Sequence, residues 1–452
     1  MRLFWTILAA LSLAAPAAAQ DRLTIWWAKG FYKSEDDALL AAVKRYEQKS
    51  KVKVELQLID LAEVIPRAEA ALKAGNPPDI AYSDTLDVQV AGKWAADGVL
   101  EDITDVITPI KDRFAPVTVE TAYLLNDKTR KKAYYAFPLK QQTLHIHYWR
   151  DMLADAGFRE NEIPDKWQDY WAFWCDKVQP EHRKAKGGKA FGVGFPMGGT
   201  STDSFQSFYS WMDAYNVRLV DDDGKPRTSD RRVREGMVKA LTDYVAPYKK
   251  GCTPPEATTW KDIDNNKAFH ERATILTHNY TISIAAKWLE DANNDKLTAE
   301  QRAEGRRAYD DLIATGGFPK KPDGSTMTYR ASVKVGVIFQ AAKNKAKARE
   351  FVQFLLQEEN LRPYVEGALG RWFPVTKASQ QSGFWQADKH RTAVFDQFAE
   401  GTRPFEFTKN WKFTILNNEN VWSKAMRRVV EDKIAVEQAV DETIKRIEEV
   451  VK

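Results

Sequence analysis

Two short segments carry side chains that could act together on a small molecule. Lys29-Gly30-Phe31-Tyr32 offers a cation and two aromatic rings, and the stretch from Ser83 to Asp87 offers a hydroxyl with carboxylates at Asp84 and Asp87. Hydroxyls, carboxylates and ammonium groups hydrogen-bond, and aromatic rings stack. Neither segment pairs a nucleophile with a base, so the set suits holding a ligand better than breaking one.

Signatures of turnover are incomplete elsewhere. Gly192-Val193-Gly194 begins a dinucleotide fingerprint, but Met197 stands where the last glycine belongs and Gly198 comes one residue late. Gly187-Gly188-Lys189 is followed by Ala190 and lacks the spaced first glycine of a phosphate loop. There is no G-x-S-x-G elbow. His145 and His147 fall two apart on a strand-like stretch and share a face, yet no H-E-x-x-H or nearby carboxylate supports ligation. Packing or hydrogen bonding is the plainer reading of that pair, and no metal or cofactor is expected. Cys175 and Cys252 are the only cysteines and no C-x-x-C occurs, so cysteine supplies no zinc site. Whether the two close a disulfide or remain buried thiols is open. A two-carboxylate glycosidase also stays open, because its acids need not be near in sequence. Asn279-Tyr280-Thr281 is a formal glycosylation sequon.

The elements that must position these residues follow from periodicity. Leu23 to Trp27 reads as a strand. Ser34, three before Asp37, reads as a capping box for a helix carrying Leu39, Val43 and Tyr46. Val52, Val54, Leu56 and Leu58 alternate with polar residues, the mark of a strand with one wet face. Residues 62–73 read as a helix stopped by Gly75 and Asn76-Pro77-Pro78, and Asp79 to Ser83 as the next strand. This β-α-β-α-β order predicts a doubly wound α/β unit, whose ligands sit beyond the carboxyl ends of its strands, where both segments lie. Asp79 is read as capping its strand. Trp26 and Trp27 must face opposite ways, so at least one is core.

Farther on, Pro138 is expected to break a strand, with a second alternating stretch from Leu144. A helix over 165–178 carries Trp167, Trp171 and Trp174 at helical spacing, read as packing. Residues 181–190 read as a solvated loop, 204–217 as a helix, and 333–339 as a strand before a helix over 346–357. A stripe of Val436, Val440, Ile447 and Val451 makes 432–452 amphipathic.

Composition bounds the class. A chain of 452 residues that is 44% hydrophobic and 29% charged can bury a core and is not disordered, and its length suggests two or three domains. Lys and Arg total 67 against 63 Asp and Glu, a net charge of +4 without a basic block, so no nucleic-acid partner is expected. Fifteen Trp exceed what a core needs. Residues 1–20 follow the signal-peptide pattern: Arg2, the apolar run Leu3 to Leu13, then Ala17 to Ala19. Cleavage is expected after Ala19 or Gln20. No Cys follows, so no lipid anchor is expected, and the mature chain is read as a periplasmic monomer.

Taken in order, LTIWWAKGFY, GNPPDIAYSD, the segment Ala95 to Thr104, YYAFPLKQQTLHIHYWRDMLADAGF, HNYTISIAAKW, VGVIF and ALGRWFPV resemble the family 1 extracellular solute-binding proteins, the maltose-binding-protein-like receptors of bacterial ABC importers. The resemblance spans nearly the whole mature chain. It implies an α/β fold of type II, two lobes joined by crossing segments with ligand in the cleft between them. Residues 21–140 and 333–375 would form one lobe, and 141–332 and 376–452 the other. It implies ligand contacts from Lys29, Phe31 and Tyr32; Ser83 and Asp84; Gln142 at the crossing; Asp203 with Thr202 and Phe205; Asn279 and Tyr280; and Arg371 and Trp372. The usual Asn-Lys after the crossing strand is here Trp149-Arg150, which touches only local capping. The implied role is delivery of a carbohydrate or polyol to the importer's membrane permease subunits. A carbohydrate-active enzyme and a receptor for an anion, held between Lys29 and Arg371, are the alternatives.

Overall fold

The computed structural model describes residues 22–451, so the signal-peptide reading of residues 1–20 lies outside the described residues. Strands β1 (Arg22–Ala28), β2 (Lys53–Ile59) and β3 (Ile80–Tyr82) alternate with helices α1 (Lys33–Ser50) and α2 (Leu61–Lys73). β1 lies between β2 and β3, parallel to both. This is the βαβαβ unit expected from the alternation of hydrophobic periods. The sheet continues from β3 through Ser332–Ile338 and Phe137–Gln142 to Phe373–Pro374, each joined antiparallel. A second sheet orders Ile313–Gly316, Leu144–Trp149, Thr274–Tyr280 and Phe191–Gly194. Each sheet has its own apolar core. The first runs from Leu23 to Leu139 and from Ala331 to Val394 and takes in Ile282; the second runs from Leu144 to Tyr329 and from Phe405 to Val451 and takes in Val88.

The sheets are joined where the strand Phe137–Gln142 passes through Thr143 into Leu144–Trp149, and where Tyr329–Arg330 passes through Ala331 into Ser332–Ile338. Gln142 pairs with Ser332, so the two crossings lie side by side. Tyr329–Arg330 also pairs with Thr402–Arg403, bringing a third crossing to the same place.

Four local expectations change. Pro138 does not break its strand: the register slips between Lys334 and Val335 opposite it, and such a bulge absorbs the missing N–H. Residues 181–190 are not all loop, because the helix Gln179–Lys186 runs to Gly187, whose φ of +64° ends it in the left-handed conformation. The aromatic helix of 165–178 is α only over Trp167–Ala172 and widens to a π-turn over Phe173–Val178. The capping box at Ser34 and Asp37 does not form. Helix α1 already starts at Lys33, Ser34 donates to the Gly367 carbonyl, and Asp37 pairs with Lys33.

Trp167, Trp171 and Trp174 are core residues; Trp167 and Trp171 pack with Trp211 and Phe318, Trp171 also with Phe195, and Trp174 with Tyr148 and Tyr170. Trp27 is buried, with Nε1 donating to the Tyr364 hydroxyl, while Trp26 is half-buried. Asp79 does cap its strand, accepting from Thr24 and Asn344. His147 bonds Thr315 and the Thr281 carbonyl, and His145 meets Thr143. Among the described residues no three His, Cys, Asp or Glu gather as a metal site would need, and no helix is long and apolar enough to cross a membrane.

Cys175 and Cys252 form a disulfide with Cα atoms 5.4 Å apart. It ties the π-turn to the segment that hydrogen-bonds Val193. Gly192 sits against it so closely that a Cβ would lie 2.7 Å from the Cys252 sulfur and 2.5 Å from the Trp174 carbonyl.

Two measurements check this packing. The disulfide closes a 77-residue loop, and its reduction is expected to cost about 4 kcal/mol, seen as a lower melting temperature in dithiothreitol. Burial pushes His145 and His278 down to about 3 and His270 and His390 down to about 4, so all four are neutral in the fold but protonate when it opens. Their contribution is complete above the unfolded value near ~6.5 and is lost as pH falls toward their folded values, at up to about 1.4 kcal/mol per group and pH unit. Burial raises Asp87 and Asp203, which offset part of this. Urea denaturation is expected to give a lower stability at pH 5 than at pH 7, and side-chain NMR to show these four imidazoles untitrated down to pH 5.

Candidate functional site

A cavity of about 200 Å³ lies between the two sheets. The first sheet's side gives it Phe31, Leu61, Asp84, Thr85, Val88, Lys334, Arg371 and Trp372. The second sheet's side gives Thr202, Asp203, Gln206, Asp262, Ile263, Asn266, Asn279, Tyr280, Thr281 and Ser283, and Gln142 enters from the crossing. The carboxyl ends of β1, β3, Phe191–Gly194 and Thr274–Tyr280 all lead toward it, the placement that parallel strands favour.

Each wall has a reason in local structure. The turn carrying Arg371 and Trp372 needs Gly370, whose φ is +90° and where a Cβ would lie 2.8 Å from the Arg391 side chain. On the other wall Thr281 is held at φ +128°, unusual for a branched residue. Its surroundings over-determine it: Asn279 Nδ2 donates to its carbonyl, and its own hydroxyl accepts from Ser283 N. Asp262 completes the start of the helix Thr202–Ala214, accepting from the Ser201 and Thr202 hydroxyls and from Asp203 N.

Behind Trp372 runs a buried chain of charges. Lys140 pairs with Glu35, lies 3.5 Å from Asp84 and 3.1 Å from the Tyr364 hydroxyl, and sits 4.5 Å from the Trp372 ring centre. Arg371 reaches Asp84 at 3.2 Å, and its guanidinium lies between the rings of Phe31 and Trp372 at 4.6 and 4.4 Å. Burial alone would raise the Asp84 carboxyl, but Lys140 and Arg371 outweigh it and hold the group at about 2. Lys334 pairs with Asp87 at 3.2 Å and donates to Ser332 Oγ at 2.7 Å. Asp203 differs from all of these. Among the described residues nothing donates to its carboxylate, and burial, with Asp262 alongside, raises its pKa well above the ordinary range. Arg371 Nη1, Trp372 Nε1 and Asn266 Oδ1 are buried without a hydrogen-bond partner, Nη1 lying 4.0 Å from Glu35.

Of the residues singled out from sequence, Phe31, Asp84, Gln142, Asp203, Asn279, Tyr280, Arg371 and Trp372 line this cavity, as does Thr202. Lys29, Tyr32 and Ser83 do not. Lys29 is exposed, because the last rung of β1 turns it outward beyond the Ile59 carbonyl. Tyr32 is buried and its hydroxyl donates to the Ser283 carbonyl at 3.1 Å, so it bridges the two sides instead of facing the space between them. Ser83 is buried beneath the loop, meeting Thr85. Phe205 belongs to the second core. Sequence reasoning missed Glu35, Lys140, Lys334, Gln206, Asp262 and Asn266. For the lysines a signal existed: Lys140 and Lys334 each stand inside an apolar strand, where a cation needs a buried counter-ion. For Asp262 and Asn266 none did.

The family described as bacterial extracellular solute-binding protein matches residues 41–393. No curated protein matches in sequence. Among solved structures, an ABC transporter solute-binding protein from Thermotoga lettingae, bound with α-D-tagatose, is 17% identical with a TM-score of 0.73, the match covering 96% of this chain and all of that one. A sugar transporter protein from Arthrobacter chlorophenolicus with bound laminaribiose is 15% identical at TM-score 0.72, over 95% of this chain and all of that one. The GacH receptor of Streptomyces glaucescens, solved unliganded and with acarbose, is 15% identical at TM-score 0.72, over 96% and 98%. These likenesses show the two-lobed type II fold.

Replacing Lys140 by Met strands Glu35 and Asp84 without their shared cation. The variant is expected to lose about 3–5 kcal/mol of unfolding free energy in urea titration.

Proposed function

The chain belongs to the bacterial extracellular solute-binding protein family, and we propose that it captures a small carbohydrate or polyol outside the cytoplasm and passes it unchanged to the membrane subunits of an ABC importer. The observation that carries this reading is the cavity itself. It brings the Trp372 ring, itself 1% exposed, together with buried donors and acceptors that lack hydrogen-bond partners, namely Arg371 Nη1, Trp372 Nε1 and Asn266 Oδ1. A sugar meets both demands, with apolar C–H faces for the ring and hydroxyls that donate and accept. The relatives bound to tagatose, laminaribiose and acarbose support the same class. The volume of about 200 Å³ falls below the ~300 Å³ at which drug-sized sites begin and favours one ring or a short polyol.

The lobes we propose are those expected from the sequence, with one boundary moved from residue 375 to beyond Val394 because Trp385 and Val394 pack in the first core, turning about the crossings at 140–144 and 329–332. Tyr32 to Ser283, Asn418 to the Gln89 carbonyl and Trp411 to Asp127 are among the contacts that opening would break. An export signal at residues 1–20, a monomeric receptor and the absence of catalysis belong to this reading. Glycoside hydrolysis needs two free carboxyl groups; here Asp84 is held by cations and Asp262 by the start of a helix, which leaves Asp203 alone uncommitted. An anionic ligand is disfavoured, since Lys29 is outside the cavity and Arg371 is already paired with Asp84.

A thermal-shift panel of monosaccharides, polyols and oligosaccharides is expected to give one responding class, with stabilisation of about 2.7 kcal/mol at a hundredfold excess over Kd. Trp372→Ala is expected to weaken that ligand at least tenfold by calorimetry, and no sugar products are expected after prolonged incubation. A flat panel, or an undiminished affinity in the variant, would sink the proposal.

A further inference from the structure

Around the cavity three cations pair with three carboxylates, and two carboxylates, Asp203 and Asp262, are left without a cation. Lys140 serves Glu35, Arg371 serves Asp84, and Lys334 serves Asp87. Asp262 accepts three hydrogen bonds from the helix start beside it. Asp203 receives none among the described residues, although it lines the cavity. Asp203 is half-buried at the mouth of the cavity, and a carboxylate that far withdrawn from water is normally paired. With the paired groups behind the lining included, five carboxylates, Glu35, Asp84, Asp87, Asp203 and Asp262, stand against three cations, Lys140, Lys334 and Arg371. Asn266 adds a second waiting acceptor: it is 7% exposed, its Nδ2 is spent on Ser283 and its Oδ1 has no partner.

We propose that the ligand is a protonated amine, an amino sugar or amino polyol, whose ammonium group is held by Asp203 with Asn266 beside it and whose ring or chain lies against Trp372. This inference rests on the carbohydrate or polyol reading above and narrows it. An ammonium brings three donors and a full positive charge. A hydroxyl would satisfy one lone pair of Asp203 and leave the excess negative charge in place. A charge-assisted bond to a carboxylate is about twice as strong as a neutral one.

The test is calorimetry and thermal shift at pH 7 on the full chain. The probes are glucosamine, galactosamine, mannosamine and 1-amino-1-deoxysorbitol, each beside its hydroxyl counterpart and its N-acetyl derivative. At least one free amine is expected to bind tenfold or more tightly than both partners. Asp203→Asn is expected to abolish that preference. It is also expected to melt no lower than the parent when empty, because it removes an uncompensated carboxylate. Should that variant fail to fold, titration of the parent in sodium chloride serves instead, and the amine's affinity is expected to fall with salt more steeply than that of any neutral compound that binds. A hydroxyl or N-acetyl compound binding as well as its amine overturns the inference and leaves the carbohydrate reading standing. An Asp203→Asn protein that keeps the amine preference overturns it likewise. Silence from every member of this panel overturns the inference, and the wider carbohydrate panel then decides the reading it rests on.

Discussion

The buried ion chain of Glu35, Lys140, Asp84 and Arg371 is the interaction on which the first lobe's half of the cavity depends. Four charges removed from water are tolerable only as a connected set, because each would be prohibitive alone. The set draws on α1, the strand Phe137–Gln142, the loop after β3 and the turn after Gly370. Those pieces are scattered over more than three hundred residues of sequence. Pairing their charges brings them to one spot, and the aromatic rings of Tyr82, Tyr364 and Trp372 close around the lysine. Trp372 is thereby held in place with its edge nitrogen unused.

The opposite wall is organised by hydrogen bonds instead of charge. Asn279, Thr281, Ser283, Asn265 and Asn266 satisfy one another in a compact network that holds Thr281 in a backbone conformation its side chain disfavours. Asn279 is therefore spent on structure although it lines the cavity. The two walls differ in kind. One is an electrostatic lattice with its cations assigned; the other is a polar net that leaves the Asp203 carboxylate and the amide oxygens of Asn265 and Asn266 without protein donors. A ligand that binds both completes what neither side can complete alone, which is the energetic basis for closing a cleft.

Much of the fold was legible from periodicity. The period-2 run of β2, the helix ended before Asn76-Pro77-Pro78 and the strand of residues 333–339 fell within a residue or two of the observed elements, because apolar spacing is set by burial on one face. Where reading failed, tertiary context intervened. Pro138 stays in its strand because that strand bulges next to it, leaving Leu139 unpaired, and Ser34 gives up capping for a carbonyl more than three hundred residues away. Tyr32 and Lys29, neighbours of Phe31, read as equal candidates. Which of the three faces the cavity depends on how the loop leaves β1, and local spacing does not carry that.

The sequence by itself determined the α/β class, the order of the elements and about half of the residues gathered at the cavity, since these follow from local period, turn chemistry and ordered motifs. The closure of Cys175 on Cys252, the partner of each buried charge and the isolation of Asp203 were decided only in the tertiary structure. Those outcomes depend on distances of a few ångströms between segments remote in the chain. Coulomb energies and desolvation change steeply over that range, and composition does not encode it.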